Sequence, residues 1–104
     1  MSTSGVQKRP SAGRGVAHIT LRYWAGARAA AGAESDVIDV DGPVSVAELR
    51  ERALALHPDA ETLPRVLATC SVLVDDRPLG LADAASVLVP VGSTLEFLPP
   101  FAGG

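Results

Sequence analysis

The sequence predicts an α+β domain in which one mixed sheet packs on a single main helix. Three observations carry this reading. From Val16 the chain alternates apolar and polar residues with period two, the signature of a strand with one buried face. At Ser45 a capping box opens a stretch whose apolar residues recur at helical spacing. Further short apolar runs follow, the last at Thr94–Leu98, so strands lie on both sides of the helix in the chain.

Along the first strand Ala17, Ile19, Leu21 and Tyr23 share the buried parity, and His18, Thr20, Arg22 and Trp24 share the other. His18 therefore reads as a surface histidine. Residues 25–32 are alanine- and glycine-rich and break the alternation, as either a loop or a short helical turn ending at Gly32. A second strand, Asp36–Asp41, follows at hairpin distance, and Asp41-Gly42-Pro43 punctuates its end. In Ser45-Val-Ala-Glu48 the serine hydroxyl and the glutamate satisfy orphan amides at a helix start. That helix is expected over Val46–His57, with Val46, Leu49, Ala53 and Leu56 on the buried stripe and Pro58 as its stop. Glu48, Arg50, Glu51 and Arg52 fall off the stripe and read as a solvated face, while His57 suits the negative end of the helix dipole. Residues 59–69 hold a possible second helical turn around Leu63–Leu67. Cys70–Val74 is a strand, Asp75-Asp76 a turn returning through Arg77-Pro78-Leu79, Val87–Val89 a short apolar run, and Thr94–Leu98 the final strand with Leu95 and Phe97 on one parity. Hairpin, helix and further strands in this order are compatible with a β-grasp.

The chain has 104 residues, 47% hydrophobic and 20% charged, enough for one independent core. No run of about 18 apolar residues is present, so no membrane-spanning helix is expected. One cysteine, Cys70, excludes an internal disulfide, and with only His18 and His57 beside it a closed zinc site is not expected. Residues 1–15 carry Lys8, Arg9 and Arg14 and no acid, which leaves a net charge of −6 on residues 16–104. Such an acidic domain is a poor match for a phosphate backbone, so no nucleic-acid partner is expected, and a basic protein partner fits better. Residues 1–15, rich in Ser, Gly and Pro, read as a disordered basic tail, residues 16–98 as the folded domain and 99–104 as an extended tail. With no apolar signal segment, the expected location is cytoplasmic.

The last residues are Leu98-Pro-Pro-Phe-Ala-Gly-Gly104. The two prolines stop the strand and hold the following residues extended. Six residues at about 3.3 Å each reach about 20 Å, which suits threading a carboxylate into a narrow pocket of another protein. No Gly-rich phosphate loop occurs, since no G-x-x-x-x-G-K motif is present.

Together with Ile19-Thr-Leu-Arg-Tyr-Trp-Ala25, Arg28, Gly32 and Ser45-Val-Ala-Glu-Leu-Arg50, the segment Gly92-Ser-Thr-Leu-Glu-Phe-Leu-Pro-Pro-Phe-Ala-Gly-Gly104 resembles the MoaD/ThiS family of ubiquitin-like sulfur carriers, and more closely small subunits of molybdopterin synthase. The resemblance covers about residues 17–104. It implies a ubiquitin-like β-grasp whose Gly104 carboxylate, presented with Gly103, is adenylated by a ubiquitin-activating-type adenylyltransferase and converted to a thiocarboxylate by a sulfurtransferase. The sulfur would then pass to a pterin in the large subunit of molybdopterin synthase. ATP and Mg²⁺ would belong to the activating partner, with no cofactor bound by this chain and no catalysis by it alone. The resemblance also places Leu98, Phe101 and Arg28 near the partner. Parity puts Leu98 and Trp24 on the open face of the sheet, an apolar cluster that marks an interface; the alternative is that the chain's own loop covers Trp24. Gly92-Ser93 and Asp75-Asp76 depart from the family's usual turn residues without touching the carboxyl chemistry. Cys70 reads as a small core residue. Two other functions fit the residues: a sulfur carrier for thiamin, cysteine or another sulfur metabolite, and a ubiquitin-like modifier of protein lysines.

Overall fold

The computed structural model describes residues 17–100. The expectations for the basic tail and for Phe101, Gly103 and Gly104 concern residues outside that range. In chain order the elements are β1 (Ala17–Tyr23), α1 (Ala25–Ala31), β2 (Ser35–Val40), β3 (Val44–Ser45), α2 (Val46–Leu56), α3 (Leu63–Thr69), β4 (Ser71–Val74), β5 (Arg77–Pro78), β6 (Leu88–Val89) and β7 (Thr94–Leu98). Five strands form one sheet in the order β2-β1-β7-β4-β5, and β3 pairs with β6 in a small second ladder. The pairings are antiparallel except for β1 with β7, which run parallel at the centre with Tyr23 opposite Phe97. The sheet is thus mixed, and α2 is the longest helix packed on it.

Period two decides the faces. Ile19, Leu21 and Tyr23 of β1 and Leu95 and Phe97 of β7 are buried, as expected, and they meet Val46, Leu49 and Ala53 of α2 and Leu63 and Leu67 of α3 in one core. The Tyr23 and Phe97 rings stack with centroids 5.8 Å apart, an arrangement that adds roughly 0.5–1.5 kcal/mol beyond the area buried.

Local signals place the helix ends. Ser45 Oγ accepts from the Glu48 amide at 3.1 Å, the cap expected of the box. Residues 25–31 take the helical alternative, and Gly32 terminates α1 in the left-handed region at φ +75°, donating its amide to Arg28 O at 2.9 Å. The Asp75-Asp76 turn has both residues at positive φ, 49° and 68°, the pattern of a two-residue hairpin turn that Asp tolerates.

Four expectations need correction. Leu56 is 49% exposed, because at the end of α2 it sits beside edge strand β2 in a shallow open groove with Val37 and Ala55. His57 is the C-cap of α2, one residue beyond its last helical position, and its side chain is engaged by the sheet: Nε2 meets Asp36 Oδ2 at 2.6 Å, and the ring packs edge-on against Tyr23. Arg50 does not belong to the solvated face, since it is half-buried with its Nε out of solvent. Val44–Ser45, read only as the approach to the helix, forms the ladder that gives Val87–Val89 a partner.

Candidate functional site

Parallel pairing brings the C-terminal ends of β1 and β7 side by side. Trp24, the residue after β1, donates its backbone amide to Phe97 O at 3.1 Å. Leu98, the last residue of β7, is paired with Ser71 of β4. Between them lies an apolar groove of about 470 Å³ lined by Trp24, Ala25, Ser71, Leu98 and the prolines that follow, Pro99 and Pro100. Trp24 and Leu98, both expected at a docking surface, thus share one groove, and Trp24 remains 38% exposed.

The Trp24 ring is held in place from two sides. Its Nε1–H donates to Glu96 Oε1 at 2.9 Å, and the Arg22 guanidinium lies 4.7 Å from the ring centroid, a cation–π contact. Both partners follow from register: Arg22 is opposite Glu96 across the parallel ladder, and Leu73 is opposite Glu96 on the other side. Glu96 is only 8% exposed. Burial raises its pKa above the ordinary glutamate value, the hydrogen bond and negative charge of Asp76 add to the rise, and the Trp24 indole and Arg22 oppose it. At the neighbouring turn, Asp75 Oδ1 accepts from the Thr94 amide at 2.9 Å, and that bond is the first cause of its lowered pKa.

Arg28 does not line the groove. It is exposed on α1 and forms an ion pair with Glu34 at 3.7 Å, a contact of small energetic value at the surface. Sequence reasoning missed Glu96, Arg22 and Ser71. Glu96 shares its parity with Thr94 and Leu98, and Arg22 shares its own with Trp24, so their common face was legible, but their pairing was not.

Among the described residues the groove lining offers one hydroxyl, that of Ser71, and no carboxylate, histidine or cysteine, the composition of a surface that receives an apolar group. Among the described residues no group of three or more His, Cys, Asp or Glu side chains is assembled to hold a metal ion. Among the same residues no helix is long and apolar enough to cross a membrane.

The element order and the central parallel pair decide the architecture. The chain has the ubiquitin-like β-grasp fold. Small archaeal modifier protein 1 of Haloferax volcanii superposes with a TM-score of 0.65 at 24% identity, over 82% of this chain and 99% of that one. A chain of the complex between subunits 1 and 2 of molybdopterin-converting factor from Helicobacter pylori matches with a TM-score of 0.54 at 22% identity, over 84% of this chain and 99% of that one. Urm1 of Trypanosoma brucei matches with a TM-score of 0.55 at 22% identity, over 86% and 97%. No protein-family profile and no curated sequence matches the chain. The likeness is one of β-grasp architecture, the fold that the sequence resemblance implied.

Proposed function

We propose that this β-grasp domain is a ubiquitin-like sulfur carrier that presents its Gly104 carboxylate to partner enzymes, and that its main role is that of the small subunit of molybdopterin synthase. The observation that carries the reading is the Trp24–Leu98 groove. It lies where β7 ends and Pro99-Pro100 begin, so a partner seated on it also receives the residues that lead to Gly103 and Gly104. The H. pylori neighbour, a complex of subunits 1 and 2, supports a large-subunit partner.

In this mechanism the groove docks and the end of the chain reacts. A carboxylate oxygen of Gly104 attacks the α-phosphate of ATP on an activating adenylyltransferase, which supplies ATP and Mg²⁺, and pyrophosphate leaves. The terminal sulfur of a sulfurtransferase persulfide then displaces AMP to give an acyl disulfide, which a second thiol cleaves, taking the sulfurtransferase sulfur into a disulfide and leaving the thiocarboxylate. Activation has to come first because a free carboxylate has no adequate leaving group. Gly103 and Gly104 present no side chain to obstruct a narrow catalytic slot. Trp24 and Leu98 give apolar contact to the partner, and Arg22 and Glu96 hold the Trp24 ring at a constant angle.

The archaeal modifier and Urm1 neighbours support a second reading, in which the same activated carboxyl is transferred to protein lysines. A carrier for thiamin, cysteine or another sulfur metabolite would use the same chemistry. Intact-mass spectrometry of the full chain, purified with an activating enzyme, ATP and a sulfur donor, separates these readings. Replacement of one terminal oxygen by sulfur, localised to Gly104, is the expected result. An unchanged mass would refute the carrier mechanism, and isopeptide adducts without a thiocarboxylate would establish the modifier. Binding of molybdopterin synthase large subunit, measured by calorimetry, then selects the pathway.

A further inference from the structure

Strand β2 is an edge of the sheet, and its register shows which of its backbone groups face outward. Tyr23 N donates to Glu34 O at 2.9 Å. Bonded and non-bonded pairs alternate along an antiparallel ladder, so Leu21–Asp36, Ile19–Ile38 and Ala17–Val40 are the bonded pairs. Ser35, Val37 and Asp39 therefore turn their amides and carbonyls to the free side. The intervening residues of β1 agree, since they bond toward β7: Thr20 N donates to Ser93 O and Trp24 N to Phe97 O, each at 3.1 Å. Arg52 Nη1 closes one outward site by donating to Asp39 O at 3.1 Å. Among the described residues no hydrogen bond reaches the Ser35 or Val37 backbone from that side.

Along this open edge runs the groove between β2 and α2, about 300 Å³, lined by Val37, Ile38, Asp39, Arg52, Ala55 and Leu56. Val37 is 60% exposed. Outward amides and carbonyls beside exposed apolar side chains form a surface on which an extended segment adds as a further strand.

Charge selects the occupant. Glu34, Asp36, Asp39 and Asp41 lie on or beside β2, in a stretch from 33 to 45 that contains no base. Two copies joined through β2 would bring both acidic runs to one seam, which repulsion disfavours. Residues 1–16, by contrast, hold Lys8, Arg9 and Arg14 and no acid. They lead into Ala17, which pairs with Val40, between Asp39 and Asp41 in the chain. These 16 residues, at about 3.3 Å each, reach about 50 Å. Passing round the end of β2 to its free side takes two strand spacings, about 10 Å, and β2 itself is about 20 Å long. Within the segment, Val6-Gln-Lys-Arg9 lies between Gly5 and Pro10 and combines a β-branched side chain with two bases.

We propose that residues 1–16 dock on their own domain, with Val6–Arg9 as an added strand on Ser35 and Val37, Val6 against the groove and the bases against the β2 acids. The contact covers an edge that would otherwise pair with other chains. Neither the Trp24 groove nor Gly104 enters it, so it stands apart from the carrier reading.

Amide hydrogen exchange of the ¹⁵N-labelled full chain, followed by NMR at low salt, tests the contact. The Val37 amide should exchange at least about tenfold more slowly than in the Lys8→Gln/Arg9→Gln/Arg14→Gln chain, at a rate independent of protein concentration. Raising the salt to about 0.5 M should reduce the protection. Val6→Asp should release the segment as the triple change does, and NOEs between Val6–Arg9 and β2 should be present in the wild type alone. Equal Val37 exchange in the wild type and in either variant would overturn the proposal. Protection that grows with protein concentration, with a dimer mass in sedimentation, would also overturn it and give the edge to a second copy.

Discussion

Asp36 joins three elements through one oxygen, and its removal should cost more than any surface position on the sheet. Asp36 Oδ2 accepts from Tyr23 Oη of β1 at 2.8 Å and from His57 Nε2, just beyond α2, at 2.6 Å, and the two side chains of the His57–Asp36 pair are 17% and 21% exposed. A hydrogen bond to a charged group contributes about 1.5–3 kcal/mol. The two bonds share one acceptor and part of their environment is wet, so Asp36→Ala is expected to cost about 2–4 kcal/mol rather than the full sum. Most of that loss is the desolvation of two donors left inside the fold, because Tyr23 is 2% exposed. Burial and Asp36 both raise the Tyr23 pKa, so its hydroxyl keeps its proton and stays a donor. For a domain of this size the midpoint of thermal unfolding should fall by about 10–30 °C. Asp36→Asn keeps an acceptor oxygen and loses the charge, and should fall between wild type and alanine. Urea unfolding of Asp36→Ala, Tyr23→Phe and the double variant closes a cycle in which a coupling of about 1 kcal/mol or more is expected. A cost below about 0.5 kcal/mol for Asp36→Ala, or additivity of the two changes, would refute the shared-acceptor account.

Three further outcomes follow from other positions. The raised pKa of Glu96 means that the folded chain holds a proton there more tightly than the unfolded chain, so this group's contribution to stability is greatest below the ordinary glutamate range and declines as pH rises through its folded pKa. Glu96→Gln mimics the protonated form and keeps an oxygen for Trp24, so urea midpoints should show it more stable than wild type at pH 7 and equal to it near pH 4; the same difference at both values would contradict the assignment. Ser45→Ala removes the cap of α2 and should cost about 1 kcal/mol, read from denaturant midpoints, with Ser45→Thr nearly neutral. Leu98→Asp places a charge in the Trp24 groove; partner affinity by calorimetry should fall at least tenfold while stability changes by about 1 kcal/mol or less, and unchanged affinity would remove the groove from the docking surface.

Much of this protein is written locally. Period two from Ala17 to Tyr23 and from Thr94 to Leu98 put Ile19, Leu21, Leu95 and Phe97 in the core, since side chains alternate across a strand whatever its partners are. The Ser45 hydroxyl sets the start of α2, Gly32 the end of α1, and Asp75-Asp76 the hairpin between β4 and β5, because caps and turns are decided by a few neighbouring residues. What only the tertiary structure decided is which faces meet. Trp24 and Leu98 are 74 positions apart, and they share a groove because β1 and β7 pair in parallel. Nothing near either residue specifies that direction; it is set by packing both strands over one core. The same holds for Glu96 beneath Trp24 and for Asp36 between Tyr23 and His57. Leu56 makes the complementary point. Its spacing marks it as buried, yet a helical stripe is buried only where another element covers it, and beside edge strand β2 the end of α2 lies in an open groove.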